Sequence, residues 1–330
     1  MIERQAVLIV TLTVMLLALP VAAETEQAGK MYRIGFLGRE SPTPEVAHLL
    51  DAFRGGLREL GYVEHQNVRI EWRWAEGRAD RLPGLADELV RLAVDVIATQ
   101  GVPETRAAKQ ATRNIPIVMV YVGDPLGSGL VGSLAHPDGN VTGLSFLFPE
   151  LTLKQLEVLR DTVPRVTRVA VLWNPRNPSH RGVLDSLQRA APSLGLALRP
   201  VTASAADEFD RVFAGIARER IGALIVVGDP LYFRHRGPLA ALALRHRLPS
   251  AFNLREHVAA GGLVSYGVHF SDLYRRAAFY VVNVLQGRKV SDLPIEQPTR
   301  FELGINLKTA KALGLTIPPS VLLRADYLIE

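Results

Sequence analysis

Short apolar segments alternate along the chain with longer segments whose apolar residues recur at helical spacing. Residues 32–38 form an apolar run that ends in glycine. From Val46 to Leu60, apolar residues then fall at i, i+3, i+4, i+7, i+11 and i+14, which is one face of a helix. The alternation continues through strands predicted at 68–74, 94–99 and 115–122 and helices predicted at 82–92 and 104–111. Strands that are apolar almost throughout, with helices between them, are typical of a parallel sheet covered on both faces.

The same order of elements begins again near residue 168. This second series contains strands predicted at 168–173, 196–201, 223–227 and 249–252 and helices predicted at 181–191, 205–218 and 238–247. Matching strands are offset by nearly equal lengths, since Ile34 and Val169 lie 135 residues apart and Ile117 and Ala251 lie 134 apart. The predicted fold class is therefore α/β, with two similar doubly wound parallel-sheet lobes.

The repeated pattern also predicts where each unit begins and ends. Residues 31–145 form lobe 1, and residues 146–292 form lobe 2. Residues 293–330 form a tail that contains four prolines and two apolar, strand-like segments, at 301–305 and 321–323. We expect a tail of this length to pack back across both lobes.

The first 23 residues have the pattern of a secretory signal peptide. Arg4 precedes an apolar run of about 14 residues, Pro20 ends that run, and small residues follow up to Ala23. The run is shorter than the roughly 20 residues of a membrane-spanning helix, although an uncleaved anchor is the alternative. The chain contains no cysteine, so it lacks the lipid attachment site of a bacterial lipoprotein. We therefore expect cleavage near Ala23 and a location in the periplasm.

Composition and motifs disfavour several functional classes. The formal charge of +5 and the pI of about 9.6 come from arginines scattered along helix faces, so nucleic acid is not expected as a partner. The chain contains no Walker loop, no G-x-S-x-G motif and no H-x-x-x-H pair. Gly127, Gly129 and Gly132 match G-x-G-x-x-G, but they lie too far from the preceding strand for a dinucleotide site. We expect a protein that is not an enzyme and has no cofactor or metal.

A series of closely spaced motifs resembles one family. The motifs are Ile-Pro-Ile-Val at 115–118, Gly-Asp-Pro at 123–125, Gly-Leu-Val at 129–131, Ser-Leu at 133–134 and Pro-Asp-Gly-Asn-Val-Thr-Gly at 137–143. With 34–37, 173–175 and 261–267, they make the chain similar to the ABC transporter substrate-binding protein family, which includes tryptophan-binding members and has the periplasmic-binding type I fold. Where amino-acid-binding relatives tend to have a Thr-Asp-Asn-like turn, this chain has Gly-Asp-Pro at 228–230. The resemblance implies two rims that face each other across a ligand cleft.

Candidate ligand-binding residues follow from the predicted strands. In parallel α/β sheets, ligands bind beyond the carboxyl ends of the strands and near helix N-termini. In lobe 1 this rule selects Arg39, Glu40, Ser41, Thr99, Gln100, Gly101, Glu104 and Asp124. In lobe 2 it selects Asn174, Asn177, Ser179, Asp229, Tyr232, Asn253, Glu256 and Tyr266.

Each of these residues also has a structural interpretation. Ser41, Asp124, Asn174 and Asp229 all precede a proline, where turn formation and helix capping are common. Glu104 and Glu256 stand at predicted helix starts, where the helix dipole favours a carboxylate. The alternative interpretation of Tyr232 and Tyr266 is that they are packing residues. We predict a ligand site because the whole group meets at one edge of the predicted sheets.

The mixture of positive and negative side chains at the predicted rims suits a ligand with an amine and a carboxylate. We therefore expect a periplasmic solute-binding protein that closes about a hinge on a small, polar, amino-acid-like ligand. The resemblance implies that it delivers this ligand to an ABC permease in the inner membrane, and we expect a monomer. The alternative is a sensory module that presents the ligand to a receptor kinase or chemoreceptor, because the sequence does not separate transport from sensing.

Overall fold

The computed structural model describes residues 30–146 and 148–330. The predicted signal peptide, residues 1–23, lies outside this part of the chain. Among the described residues, none of the helices combines the length and the apolar character that a bilayer crossing requires. The described residues fold into two α/β lobes, each built on its own sheet.

Lobe 1 contains a five-stranded parallel sheet in the order β2-β1-β3-β4-β5. Its strands are β1 (Tyr32–Gly38), β2 (Val68–Trp74), β3 (Val96–Gln100), β4 (Ile117–Val122) and β5 (Val141–Ser145). The helices between them are α1 (Pro44–Glu59), α2 (Leu82–Arg91) and α3 (Gly101–Ala111). The edge strand β5 approaches β4 so closely that a Cβ on Gly143, whose φ is +123°, would lie 2.3 Å from the Met119 carbonyl oxygen.

Lobe 2 contains a seven-stranded sheet in the order β12-β11-β10-β9-β8-β6-β7. Its strands are β6 (Arg168–Trp173), β7 (Ala197–Thr202), β8 (Ala223–Val226), β9 (Ser250–Phe252), β10 (Val264–Val268), β11 (Phe301–Asn306) and β12 (Tyr327–Ile329). Its first helices are α4 (Phe148–Thr162), α5 (His180–Ala190), α6 (Phe209–Arg218), α7 (Pro230–Arg234), α8 (Arg236–Arg245) and α9 (Arg255–Ala259). Strand β11 runs antiparallel to β10, so the C-terminal tail adds a mixed edge to a parallel sheet.

The helix that follows β10 packs on lobe 1, although its position falls within the predicted lobe 2 range of 146–292. This helix, α10 (Phe270–Leu285), lies against α1 and shares a hydrophobic core with the first sheet. The approach is close at Gly56 of α1, where a Cβ would lie 2.6 Å from the Arg275 carbonyl oxygen. Lobe 2 is therefore not one continuous segment. The physical reason is that α10 buries its apolar face on the sheet face that α1 covers only in part.

The C-terminal tail begins on lobe 1. Leu293 and Ile295 are buried in the cores of that lobe. The backbone of Glu296 pairs with β5, since its N–H donates to the Gly143 carbonyl at 3.0 Å and its carbonyl accepts from Ser145 at 2.9 Å. The tail therefore extends the hydrogen bonding of the first sheet before it crosses to the second.

The rest of the tail belongs to lobe 2. The predicted strand-like segment at 301–305 is strand β11, and it is followed by α11 (Leu307–Leu313) and α12 (Pro319–Leu322). The prediction of a strand-like segment at 321–323 is wrong, because Pro319 occupies the start of a helix, where the fixed φ of proline favours helical geometry.

Within the described residues, the chain passes between the lobes after Ser145, between Val268 and Phe270, and between Glu296 and Phe301. Short crossings between two separately packed cores are the arrangement in which domains rotate about a hinge, because little packing has to change when the lobes open. The fold therefore supplies two bodies and a hinge between them.

Candidate ligand-binding cleft

The two rims meet across the cleft in this structure. The lobe 1 rim consists of the loops after β1, β3 and β4, and the lobe 2 rim consists of the loops after β6, β8 and β9. Arg234 of α7 forms an ion pair with Glu40, which follows β1, and this pair joins the two lobes. Glu40, one of the predicted ligand residues, therefore has a protein partner from the opposite lobe.

A cavity of about 230 Å³ lies between the lobes. It is lined by His48 and Leu49 of α1, by residues 254–256 of lobe 2 and by residues 268–271 of the second crossing. Glu256, a predicted ligand residue, lines this cavity, and its buried Oε2 atom has no hydrogen-bond partner among the described residues. None of the predicted lobe 1 residues lines this cavity.

A larger cavity of about 450 Å³ lies behind the hinge, between α1, α10 and residues 296–300. Its charged side chains pair with one another, Arg275 with Glu59 and Arg276 with Glu296. None of the predicted ligand residues lines this cavity. It shares Val268 and His269 with the smaller cavity.

Glu104 is a buried acid at the lobe 1 rim. Helix α3 begins at Gly101, whose φ is +74°, and Glu104 lies in its first turn. Glu104 is 2% exposed, and its Oε1 atom has no hydrogen-bond partner among the described residues. Burial raises the pKa of Glu104 to about 7, while Arg39 acts to lower that pKa and Glu40 acts to raise it. The first turn of α3 therefore holds a buried carboxyl group whose pKa is raised close to neutral pH.

The residues just before Glu104 have protein partners. The buried Thr99 hydroxyl lies 2.7 Å from the Thr105 hydroxyl, so Thr99 joins β3 to α3 and does not reach the cleft. This differs from the prediction, because side chains alternate along a strand and Thr99 points into the layer between sheet and helix. The Gln100 amide donates to the Tyr274 hydroxyl of α10. Gln100 therefore ties the lobe 1 rim to the helix that returns from lobe 2.

The remaining predicted residues of the lobe 1 rim fit their structural interpretations. Asp124 accepts the Gly127 backbone N–H at 2.7 Å, which closes a turn after β4. Ser41 is exposed and precedes the N-cap of α1, which is Thr43. Arg39 is half-buried, and its charge acts on Glu104. Of these three residues, Arg39 has the most direct electrostatic link to the cleft.

Aromatic side chains gather where the lobe 1 rim meets the crossings. Tyr121 lies 5.0 Å from Phe270, 5.9 Å from Tyr274 and 6.1 Å from Phe146, measured between ring centroids. We call these four residues the hinge aromatic cluster. Desolvation raises the pKa of Tyr121 and of Tyr274, so both phenols are neutral at physiological pH. The predicted list omits this cluster, because two of its members lie on α10, which the sequence assigns to lobe 2.

The lobe 2 rim is organised around Asp229. Its carboxylate accepts the Leu231 backbone N–H at 2.9 Å, the Asn177 side-chain amide at 2.8 Å and the Asn174 side-chain amide at 3.3 Å. The amide oxygens of both asparagines in turn accept backbone N–H groups two residues further on, at 3.0 and 3.1 Å. Asp229 therefore caps α7 and braces the loop after β6 against the loop after β8.

His180, which the predicted list omits, completes this network. Its buried ring accepts the Asn174 backbone N–H on Nδ1 at 3.0 Å, and its Nε2 lies 3.0 Å from the Gly228 carbonyl oxygen. These partners require a neutral ring that carries its proton on Nε2. Burial lowers the pKa of His180, although Asp229 favours the charged form. Ser179, a predicted ligand residue, is half-buried directly before His180.

Tyr232, a predicted wall of the cleft, lies instead in the core of lobe 2. Its ring is fully buried and packs 6.0 Å from Phe209, and its hydroxyl donates to the Ala203 carbonyl at 2.8 Å. The physical reason is the position of Tyr232 in α7. The helix starts at the rim with the capping Asp229 and turns this ring inward against α6.

Asn253 and Tyr266, the other predicted residues of lobe 2, are half-buried beside the second crossing. Tyr266 stacks on Phe301 at 6.0 Å with an interplanar angle of 22°. The side chain of Asn253 lies against Gly228, where a Cβ would be 2.4 Å from the Asn253 Nδ2 atom. Gly228 therefore permits the close contact between the loops after β8 and β9.

Comparisons with known proteins agree with this architecture. The family model described as "ABC transporter substrate binding protein" matches residues 43–329. A tyrosine-binding protein of Clostridioides difficile (strain R20291) is 27% identical over 273 residues, which are 82% of this chain and 78% of that protein. The solved ABC domain in complex with L-Trp from Streptococcus pneumoniae is 26% identical with a TM-score of 0.83, and the match covers 91% of this chain and all of that one.

A conserved domain protein from Vibrio cholerae O1 biovar El Tor gives a similar result. It is 26% identical with a TM-score of 0.84, and the match covers 91% of this chain and 100% of that one. Together these matches confirm the predicted family resemblance and the predicted pair of α/β lobes.

Proposed function

Because the chain belongs to the ABC transporter substrate binding protein family, we propose that it captures an aromatic amino acid in the cleft between its lobes. The choice of ligand class is supported by one relative that is named for binding tyrosine and by another that was solved with L-Trp. The proposed activity is reversible binding rather than catalysis. An ABC permease in the inner membrane then receives the ligand.

The observation that carries this proposal is the combination of a free carboxyl oxygen with aromatic rings on one rim. The ammonium group of an amino acid complements the carboxyl group of Glu104, and its ring complements the half-buried faces of Tyr121 and Phe270. Arg39, half-buried at the same rim, offers a positive charge to the ligand carboxylate. A sugar or an inorganic ion would leave part of this set without a partner.

Hinge closure explains how a small ligand gains enough binding energy. A micromolar dissociation constant corresponds to roughly 8 kcal/mol, which a few charge-assisted hydrogen bonds and one buried ring can supply. Each lobe offers only part of the polar set, with Glu104 on one side and Glu256 on the other. The closed form therefore holds the ligand better than either lobe alone, and the ligand shifts the population towards closure.

The proposed place of action is the periplasm. The signal-peptide pattern of residues 1–23 supports export, and the absence of cysteine gives no site for lipid attachment. Delivery to a permease is the role that the family description supports.

Ligand capture is tested by calorimetric titration of the mature protein with the twenty amino acids, several sugars and inorganic anions. The three tryptophans provide a second signal, because Trp72 and Trp74 lie on β2 and Trp173 ends β6. We expect L-tyrosine or L-tryptophan to bind most tightly and to change the tryptophan fluorescence. Heat from sugars or ions alone would overturn the proposal.

Delivery is tested by uptake of a radiolabelled aromatic amino acid in cells of the source organism with and without the gene. We expect uptake at low external concentration to fall when the gene is deleted and to return when it is restored. Unchanged uptake, together with loss of a behavioural or transcriptional response to the amino acid, would favour the sensory alternative.

A further inference from the structure

Building on the function proposed above, we propose that the free carboxyl oxygen of Glu104 receives the ammonium group of the ligand and thereby selects primary amines. The family description assigns neither this contact nor the proton exchange that follows from it.

The position of Glu104 leaves one carboxyl oxygen without a use inside the protein. Oε2 lies against Gly101, where a Cβ would be 3.0 Å from it, and Oε1 is buried without a hydrogen-bond partner among the described residues. A buried polar atom without a partner destabilises the folded protein. A protein tolerates this cost at a site where a ligand supplies the missing donor.

The titratable neighbours of Glu104 include a single positive charge, that of Arg39, among the described residues. The titratable groups that act on it from other elements are Arg39 and Glu40 after β1, Tyr121 on β4 and Tyr274 on α10. The two phenols are neutral, and Glu40 is paired with Arg234 across the cleft. Helix α2 also packs on α3. Its buried residues in this shared core are apolar: Leu82, Leu85, Ala86 and Leu89.

The two cations of helix α3, Arg106 and Lys109, donate to backbone carbonyls and not to Glu104. Arg106 donates to the Ser128 carbonyl at 2.9 Å, and Lys109 donates to the Leu130 carbonyl at 2.7 Å, so both hold the loop after β4. Neither forms an ion pair with Glu104 in the described chain. Among the described residues, Arg39 is the cation that acts on Glu104, so an ammonium group brought by the ligand can supply the missing donor.

Glu256 is the rival acid on lobe 2. It also has a buried oxygen without a partner among the described residues, but it is half-buried and lines the open cavity between the lobes. Glu104 is the more deeply buried acid, and a charged hydrogen bond is worth more where water is excluded. The inference therefore names Glu104, and Glu256 provides the comparison that tests it.

Binding through Glu104 carries a definite pH dependence. Because the pKa of Glu104 in the free protein is about 7 and the ammonium pairs with the ionised form, the ligand displaces a proton. The apparent Kd is then lowest above pH 7 and rises as pH falls through 7. Between pH 8 and pH 5.5 we expect it to rise about 30-fold, from the fraction of Glu104 that remains ionised.

The experiment measures Kd for L-tyrosine and L-tryptophan from pH 5.5 to pH 8 by titration calorimetry. It compares the wild type with Glu104→Gln, Glu256→Gln and the control Glu88→Gln, which is on α2 and pairs with Arg73 away from the rim. The analogue 3-(4-hydroxyphenyl)propionate, which is L-tyrosine without its amino group, serves as the control ligand for recognition of the amine. Calorimetric titration of the wild type in two buffers with different ionisation enthalpies measures the number of protons released when the ligand binds. This measurement requires no variant.

We expect Glu104→Gln to weaken L-tyrosine binding at pH 8 by about 10- to 100-fold, to abolish the pH dependence and to remove the preference over the analogue. Glu256→Gln and Glu88→Gln should keep the pH dependence. Unchanged affinity in Glu104→Gln, or a pH dependence lost only in Glu256→Gln, would overturn the inference and leave the proposed function intact. If the wild type binds no amino acid or amine, the proposed function fails together with the inference.

Discussion

Glu104 and Asp229 stand at similar places in the two lobes and have opposite surroundings. Each acid follows a strand of its sheet and lies at the start of a helix, α3 for Glu104 and α7 for Asp229. Asp229 accepts hydrogen bonds from three donors of its own lobe. Glu104 is more deeply buried, 2% exposed against 8% for Asp229, but keeps one oxygen without a donor among the described residues.

This difference is the basis for describing Asp229 as a structural acid and for proposing Glu104 as a ligand contact. A buried carboxylate with three donors stabilises the loops that supply them, while a buried carboxyl group with a free oxygen costs stability until something binds it. The hinge aromatic cluster lies on the side of Glu104, and the neutral His180 lies on the side of Asp229. We infer that the loops around Asp229 are held in place by lobe 2 itself, whereas Glu104 of lobe 1 keeps an oxygen that a ligand can bind.

The largest expected effect tests the lobe 2 rim. The pentapeptide Val-Gly-Asp-Pro-Leu occurs at both 122–126 and 227–231, so Asp124 is a matched control for Asp229. We expect Asp229→Ala to lower the free energy of unfolding by about 4 kcal/mol, because a helix cap and two side-chain bonds are lost. Asp124→Ala, which loses one turn bond, should cost about 1 kcal/mol. Urea unfolding measures both, and equal losses would contradict the idea of a braced rim.

The next effect tests the lobe 1 rim in the absence of ligand. The pKa of Glu104 is about 7 in the folded protein and near its ordinary value in the unfolded chain, so the folded state binds the proton more tightly. Its stabilising contribution is present below about pH 4.5 and is lost as pH rises to 7, by roughly 3 kcal/mol in total.

Glu104→Gln should remove this loss. The quantity to measure is the difference in unfolding free energy between wild type and variant at each pH. That subtraction is needed because burial also lowers the pKa of His180. The contribution of His180 to the unfolding free energy therefore decreases as pH falls below the ordinary pKa of histidine, which is the opposite direction to that of Glu104. A difference that does not vary between pH 4.5 and pH 7 would show that Glu104 is not buried as an acid.

A smaller effect distinguishes a core residue from a cleft residue. Tyr232→Phe removes the hydroxyl that donates to the Ala203 carbonyl, so we expect a loss of about 1 to 2 kcal/mol in unfolding free energy. Ligand affinity should stay the same, because the ring lies in the core of lobe 2 and not at the cleft. A weaker ligand affinity with an unchanged unfolding free energy would mean that Tyr232 contacts the ligand at the cleft.

The smallest expected effect concerns the ion pair that joins the rims. Glu40 and Arg234 are partly exposed, so a double-mutant cycle with Glu40→Gln and Arg234→Gln should give a coupling below about 1 kcal/mol in unfolding. The pair bridges the lobes, so its loss should favour the open form, which small-angle scattering would detect as a larger radius of gyration. Identical scattering from wild type and double variant would mean that the pair does not hold the rims together.

Part of this fold is readable from the order of residues. Apolar runs such as 32–38 and 168–173 identify buried strands, and glycines and prolines mark where helices begin and end. The strand pattern also locates the rims, because ligands in parallel sheets lie beyond the carboxyl ends of the strands. Glu104 and Asp229 both belong to the predicted list for this reason. The pattern does not distinguish them, since the sequence around each acid looks like the start of a helix.

The amino-acid sequence by itself determined the local elements, the two-lobed architecture and the edge of each sheet that holds the polar residues, because periodicity and turn chemistry are local properties. Only the tertiary structure decided that α10 packs on lobe 1, that Tyr232 turns inward and that Asp229 gains three donors while Oε1 of Glu104 has none among the described residues. Partners of this kind come from residues far away in the chain, such as Asn174 for Asp229 and Tyr274 for Gln100. Burial and hydrogen-bond satisfaction depend on such distant neighbours, and they decide which acid is structural and which is free to bind.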